Sequence, residues 1–190
     1  MNRVAIVAVF AVFLLPVIVA TLMHSEWLDW QPGGTRNHGD LVRPVVALEP
    51  FRIETPGGTV VARDDLLDRW QLLYYQPHAC DDACMENLYW LRQVRRAQDR
   101  HQPDVGLMFL TRLPVSAETA APIAELADDF VILGGPGAEA LISQLPDDGV
   151  NAAYYIADPM ANIILRFDED SDPNHIRRDL RRLLTWTQRD

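Results

Sequence analysis

The sequence predicts an α/β fold: a mixed central sheet with helices on both faces, following one N-terminal transmembrane helix. Three observations lead there. "WQLLYYQ" (70–76) and "VGLMFLT" (105–111) are strand-length apolar runs without polar alternation, the mark of strands buried on both sides. Segments with helical spacing stand between and after such runs. Near the start, "VAIVAVFAVFLLPVIVATLM" (4–23) carries no charge.

That first run is twenty residues, and at ~1.5 Å per residue a helix of this length spans roughly 30 Å, the thickness of a bilayer's hydrocarbon core. Pro16 lies inside it, as membrane helices tolerate. Arg3 precedes the run and Glu26 and Asp29 follow, so residues 1–3 are expected in the cytoplasm and the rest beyond the membrane. Trp27 and Trp30 fit the interface. A cleaved signal peptide is the competing reading, but the run is long for one and no small-x-small site follows it. The expected location is the inner (cytoplasmic) membrane, single-pass, with the C-terminal domain in the oxidising periplasm. The lipid bilayer is then the partner of residues 4–23. A net charge of −10 argues against nucleic acid as a partner, because phosphate binding needs a basic surface.

Residues 24–45 read as an extended lead-in, with Gly33, Gly34, Gly39 and Pro44 breaking any period. One domain is expected over 46–190. "FRIET" and "TVVAR" flank Pro56-Gly57-Gly58, a hairpin signal. "DDLLDR" is a short helical turn and 70–76 the central strand. Met85, Leu88, Leu91 and Val94 then repeat at helical spacing. After 105–111, "SAETAAPIAELA" predicts a helix whose register Pro122 obscures, and "FVILGG" a strand and turn. "AEALISQL" predicts a helix; "AAYYIAD" and "NIILRF" form a hairpin around "PMA". Asp172-Pro173 caps a last helix with Ile176, Leu180, Leu183 and Leu184 on one face.

Both cysteines fall in "YYQPHACDDACMEN" (74–87), at the C-terminal end of the central strand and the start of the next helix, where α/β folds place their chemistry. A thiolate at a helix N-terminus gains from exposed N–H groups and the dipole. Asp81 and Asp82 favour the helix start but oppose thiolate formation. Residues four apart on a helix lie close enough for a disulfide, so Cys80 and Cys84 fit a disulfide, a dithiol or a soft-metal clamp alike.

The stretch "FRIETPGGTVVARDDLLDRWQLLYYQPHACDDACMENLYWL" resembles the opening of the Sco/SenC copper chaperones, membrane-anchored thioredoxin-fold proteins that help metallate cytochrome c oxidase. "YYIADPMANIILRF" is similar to that family's closing hairpin. The resemblance covers residues 46–186 or so. It implies a thioredoxin-like domain, Cu(I) held by Cys80 and Cys84, and the copper-binding subunit of a respiratory oxidase as partner. It also implies a third ligand, a histidine near Val150, where none stands; Met85 replaces the proline expected after the second cysteine. An ordinary thioredoxin has two residues between its cysteines and a proline before the penultimate strand; neither is found here. A thiol peroxidase needs a threonine just before its cysteine, which Pro77-His78-Ala79 does not supply.

Other candidate ligands are His78, two residues before Cys80, and Met85, a soft thioether. For each, the plainer reading is a surface histidine and a core methionine. His24, His38 and His175 read as solvent contacts. Arg177, Arg178, Arg181 and Arg182 read as a solvated face, or as a docking face for acidic protein or lipid groups. Two functions follow: a thiol or copper protein acting on oxidase assembly through Cys80 and Cys84, with thiol-disulfide reductase activity possible, or a non-catalytic docking protein that kept the fold and lost copper binding.

Overall fold

The computed structural model describes residues 12–16, 21, 37–147 and 149–186, the side chain of Trp186 excepted. They fall into two units, Met1–Arg36 and Asn37–Asp190. In the first, residues 12–16 and 21 are helical. The rest of the expected anchor, Val4–Met23, lies outside the described residues. Among those described, no helix is long and apolar enough to cross a membrane.

The second unit contains strands β1 (Asp40–Ala47), β2 (Arg52–Glu54), β3 (Val60–Ala62), β4 (Trp70–Gln76), β5 (Val105–Thr111), β6 (Phe130–Leu133), β7 (Ala153–Ala157) and β8 (Asn162–Asp168). Its helices are α1 (Asp82–Arg96), α2 (Ala117–Leu126), α3 (Glu139–Ile142) and α4 (Pro173–Trp186). Six strands form one sheet in the order β1-β8-β7-β4-β5-β6, and β2 pairs with β3 in a separate hairpin. β4 lies at the centre, parallel to β5 and antiparallel to β7. All seven of its residues are buried, as an apolar run without alternation requires.

The pleat sends Leu72 and Tyr74 into one apolar cluster and Leu73 and Tyr75 into another, across the sheet. The first cluster lies under α1, α2 and α4, through Leu88, Leu91, Ile123, Ile176 and Leu180. The second lies under the β2–β3 hairpin and α3, through Ile53, Val61, Leu141 and Ile142. Right-handed crossovers from β4 to β5 and from β5 to β6 step in one direction, so α1 and α2 must share a face. The opposite face therefore carries little helix, and the expected two-sided helical cover reduces there to short segments, the four-residue α3 and the 3-10 turns Arg63–Leu66 and Pro136–Ala138. Both clusters lie wholly within Asn37–Asp190, so that unit contains the apolar core it needs to fold alone.

Most predicted elements recur. Gly58 adopts φ +80 in the β2–β3 turn, a conformation that favours glycine. Asp158 holds the β7–β8 turn by accepting from the backbone N–H groups of Met160 and Asn162, both at 2.9 Å. α2 runs through Pro122 and is capped by Ser116, whose hydroxyl accepts from Thr119 N at 3.2 Å. "AEALISQL" departs: only Glu139–Ile142 is α-helical, after a 3-10 turn at Pro136–Ala138.

The lead-in also departs from expectation. Residues 40–47 form the edge strand β1, paired antiparallel with β8, so the sheet begins before the expected start at 46. Pro44 is compatible with an edge, and the register shifts between Leu41 and Val46. His38, read as a solvent contact, is exposed but is also tied to α4. Its ring Nδ1 lies 3.0 Å from Asp179 Oδ1, and its ring stacks on His175 at 4.2 Å.

Candidate functional site

The loop Pro77–Asp81 carries the chain from β4 into α1. Asp81 is the N-cap of α1, its carboxylate accepting from the backbone N–H of Cys84 at 3.0 Å. That bond places Cys84 in the first turn. From there residues 84, 88 and 91 face the sheet together, which buries the Cys84 side chain completely. Cys80, outside the helix, stays partly exposed. The two form a disulfide, with Cα atoms 5.1 Å apart and a sequence separation of four.

Two clefts flank this loop, and His78 and Ala79 form the wall between them. The smaller, about 110 Å³, is bordered by Cys80, Phe109, Leu113 and Val115. The larger, about 490 Å³, is bordered by His78, Asp81, Val150, Asn151 and Glu169. His78 is exposed and donates its backbone N–H to Gln76 Oε1 at 3.4 Å. Val150 is 65% exposed, so the position where the resemblance expects a histidine opens onto the cleft beside the cysteine loop. Met85 packs against the apolar cluster, in line with its plainer reading.

A polar network under the larger cleft was not legible as a site. Tyr74 donates its hydroxyl hydrogen to Glu169 Oε1 at 2.8 Å. Asn87 Nδ2 donates to the Tyr74 hydroxyl at 3.0 Å and to Glu169 Oε1 at 3.2 Å. Gln76 Nε2 lies 3.4 Å from the same carboxylate oxygen. Burial pushes the Tyr74 phenol far above its ordinary value; the Asn87 hydrogen bond opposes this, and the Glu169 bond and charge add to it. Tyr74 is thus a neutral donor. The signal in the sequence was a tyrosine in a fully buried strand, since a buried phenol needs a partner; its partner, 95 positions away, carried no local mark. Tyr154, at 4.9 Å from the Tyr74 ring, is likewise raised by burial.

Chemically, the pair presents one accessible sulfur bonded to one buried sulfur at the N-terminus of a fifteen-residue helix. As a disulfide it offers no thiolate ligands; reduction by two electrons would release two. Among the described residues, no group of three or more His, Cys, Asp or Glu side chains is arranged to hold a metal ion.

Solved structures share this architecture. Apo Sco1 from Thermus thermophilus superposes with a TM-score of 0.63 at 17% identity, over 79% of this chain and 99% of that one. Copper-bound ScoI from Arabidopsis thaliana gives 0.61 at 16% identity, over 74% and 99%. BsSco, described as a Sco-family cytochrome c oxidase assembly protein with a disulfide switch, gives 0.56 at 14% identity, over 74% and 95%. No curated protein matches the sequence. The profile of the transmembrane-like, thioredoxin-like C-terminal domain matches residues 70–187, from the first residue of β4 to beyond the end of α4. With well over half of the chain matched, this protein belongs to that thioredoxin-like family.

Proposed function

We propose that the protein is a membrane-anchored, periplasmic thiol/copper protein that assists the assembly or metallation of cytochrome c oxidase through Cys80 and Cys84. The observation that carries the reading is the pair itself, one sulfur accessible and one buried at the end of the central strand. The fold shared with Sco proteins supports the setting.

The arrangement favours thiol exchange as the basic step. In the reduced protein the Cys80 thiolate attacks a disulfide of the partner, forming a mixed disulfide and releasing one partner thiolate. The Cys84 thiolate then attacks Cys80, closing the intramolecular disulfide and releasing the second partner thiol. Two electrons pass from the pair to the partner, whose freed thiols can take copper. A thiol reductant must restore the pair. Reduced Cys80 and Cys84 also suit Cu(I) as cargo, being soft sulfur donors. His78 borders both clefts beside Cys80 and is the nearest candidate for a further ligand; Met85 is the weaker one.

Val150 in place of a histidine favours a second reading, a docking protein that no longer carries copper. Two measurements separate them: an anaerobic Cu(I) titration of the reduced protein, and oxidase activity in a strain carrying Cys80→Ser with Cys84→Ser. The proposal expects stoichiometric Cu(I) uptake or loss of oxidase activity. Neither uptake nor loss would leave the docking reading.

A further inference from the structure

We propose that the outward face of α1 and α4 is a docking surface for anionic lipid headgroups. It rests on the anchor reading for delivery to a bilayer and for one of the two arguments for a lipid occupant.

The chain is acidic, with 27 Asp and Glu against 17 cationic residues, yet the cations are unevenly placed. Arg92, Arg96, Arg177, Arg178, Arg181 and Arg182 belong to these two helices. α1 has no acidic residue after Glu86, and the single acid of α4, Asp179, is fully buried. Asp99, beyond α1, is the next exposed acid. Both helices turn their apolar residues to the same side of the sheet, so their polar faces form one outer surface. Arg96, Arg178, Arg181 and Arg182 are exposed on it. Gln98 donates to the carbonyls of Val94 and Arg177, which brings the C-terminal end of α1 against the middle of α4 and gathers the arginines there.

Two further observations favour a lipid surface over an acidic protein. Tyr89 and Trp90 on α1 are 43% and 41% exposed and meet edge to face at 5.5 Å, with the Trp90 indole N–H donating to Glu86 at 3.4 Å; exposed amphipathic aromatics of this kind suit an interfacial surface. Residues 24–36 connect the apolar run 4–23 to Asn37, and there the chain is fastened to α4. The backbone N–H groups of His38 and Gly39 both donate to Asp179. The segment arriving from a membrane anchor therefore joins the domain on the helix that carries four of the arginines. Elsewhere the acidic surface would be repelled by anionic headgroups. Arg96 lies twelve residues along α1 from Cys84, about 18 Å at 1.5 Å per residue, so docking by the arginine end leaves the disulfide end free for a protein partner.

The test uses residues 37–190, which lack the anchor, so a failed anchor reading and a failed docking surface are distinguishable. The fragment is floated with vesicles of phosphatidylcholine alone, or with about one-third phosphatidylglycerol, at low and high salt. Binding is expected only to the anionic vesicles, falling at least tenfold in Arg178→Glu/Arg181→Glu and on raising salt from about 0.05 M to 0.5 M, where the Debye length contracts severalfold. Trp90→Ala should weaken binding by a smaller factor. Arg52→Glu, on β2, should leave it unchanged, and matched thermal melts check that each variant folds. No preference for anionic vesicles, or binding indifferent to the paired reversal, overturns the proposal; the first result would point this face to an acidic protein.

Discussion

His38 and Asp179 are separated by 141 positions, yet the Asp179 carboxylate accepts both the His38 backbone N–H and the Gly39 N–H and lies 3.0 Å from the His38 ring. Arg182 approaches the same carboxylate at 3.4 Å. Asp179 is fully buried, so its charge is held by these donors rather than by water. They fasten the entry to β1 against α4 and so fix the edge of the sheet. Asp179→Ala would leave the Gly39 N–H buried without its acceptor, and the expected loss is about 3 kcal/mol. Urea unfolding measures the loss. Hydrogen exchange should show β1 amides opening before those of β4; unchanged protection in β1 would refute the clasp.

The cysteines differ in access, and their chemistry should differ with it. In Cys84→Ser the remaining Cys80 thiol is partly exposed, and it should be alkylated readily and trap mixed disulfides with a thiol partner. In Cys80→Ser the remaining Cys84 is fully buried and should react at least tenfold more slowly. Equal rates under native conditions would remove the division of labour between the two sulfurs.

How far the sequence could be read depended on where each signal lay. β4, β5 and α1 were legible because burial writes itself into local spacing, as in the residues 70–76 and the repeat Leu88, Leu91, Val94. The disulfide was reachable as one of three options because its partners sit four apart. β1 was not legible, since Pro44 and Gly39 mask a strand whose pairing with β8 comes from tertiary structure. The Tyr74–Glu169 and His38–Asp179 contacts join distant residues, and no periodicity connects them. The short α3 was over-read because the apolar spacing of "AEALISQL" did not reveal the 3-10 turn before it.

Arg95 shows the same limit and yields a pH prediction. It reads as a polar residue on α1 but is buried, with its guanidinium 2.6 Å from Asp129 and its Nε without a partner. The Arg95 hydrogen bond holds the Asp129 carboxyl below its usual range, against a smaller opposing effect of burial. A carboxyl lowered in the folded state adds stability that is complete above its unfolded value, about 3.9, and is lost as pH falls through the folded value. Wild type should therefore lose this contribution below about pH 4, and Asp129→Asn should lack it already at pH 7. Because Asp129 is 45% exposed, solvent screens the pair, and the expected cost of Asp129→Asn at neutral pH is about 1–2 kcal/mol. Chemical denaturation at pH 7 and pH 3 should show the two proteins converging in acid; a constant difference would exclude this pair as the source.

Reduction of the disulfide should cost little, because its loop is short. With a sequence separation of four between the cysteines, the chain-entropy relation gives about 2 kcal/mol. For a domain of this size that lowers Tm by roughly 4–8 °C. Melting with and without a thiol reductant measures it. A collapse of the fold on reduction would make the bond a structural staple, and cycling between dithiol and disulfide would then be untenable.

The most direct test of the copper reading restores the missing group. Val150 is exposed and borders the same cleft as His78, against the loop that carries Cys80. If this scaffold carries Cu(I) through two sulfurs, Val150→His offers an imidazole from the cleft that the cysteine loop borders, without disturbing a buried contact. One added ligand commonly changes affinity by about tenfold or more, ~1.4 kcal/mol per factor of ten. Wild type should bind one Cu(I) weakly once reduced, and Val150→His at least tenfold more tightly. His78→Ala should reduce binding modestly, while Cys80→Ser and Cys84→Ser should abolish it in both backgrounds. Cu(II), which prefers nitrogen and oxygen donors, should bind wild type poorly. Competition with a Cu(I) chelator under anaerobic conditions gives all these affinities. A Val150→His variant that folds normally yet gains no affinity would show that the cleft does not direct residue 150 toward the cysteines, whereas no Cu(I) uptake by reduced wild type would make copper carriage by this site untenable.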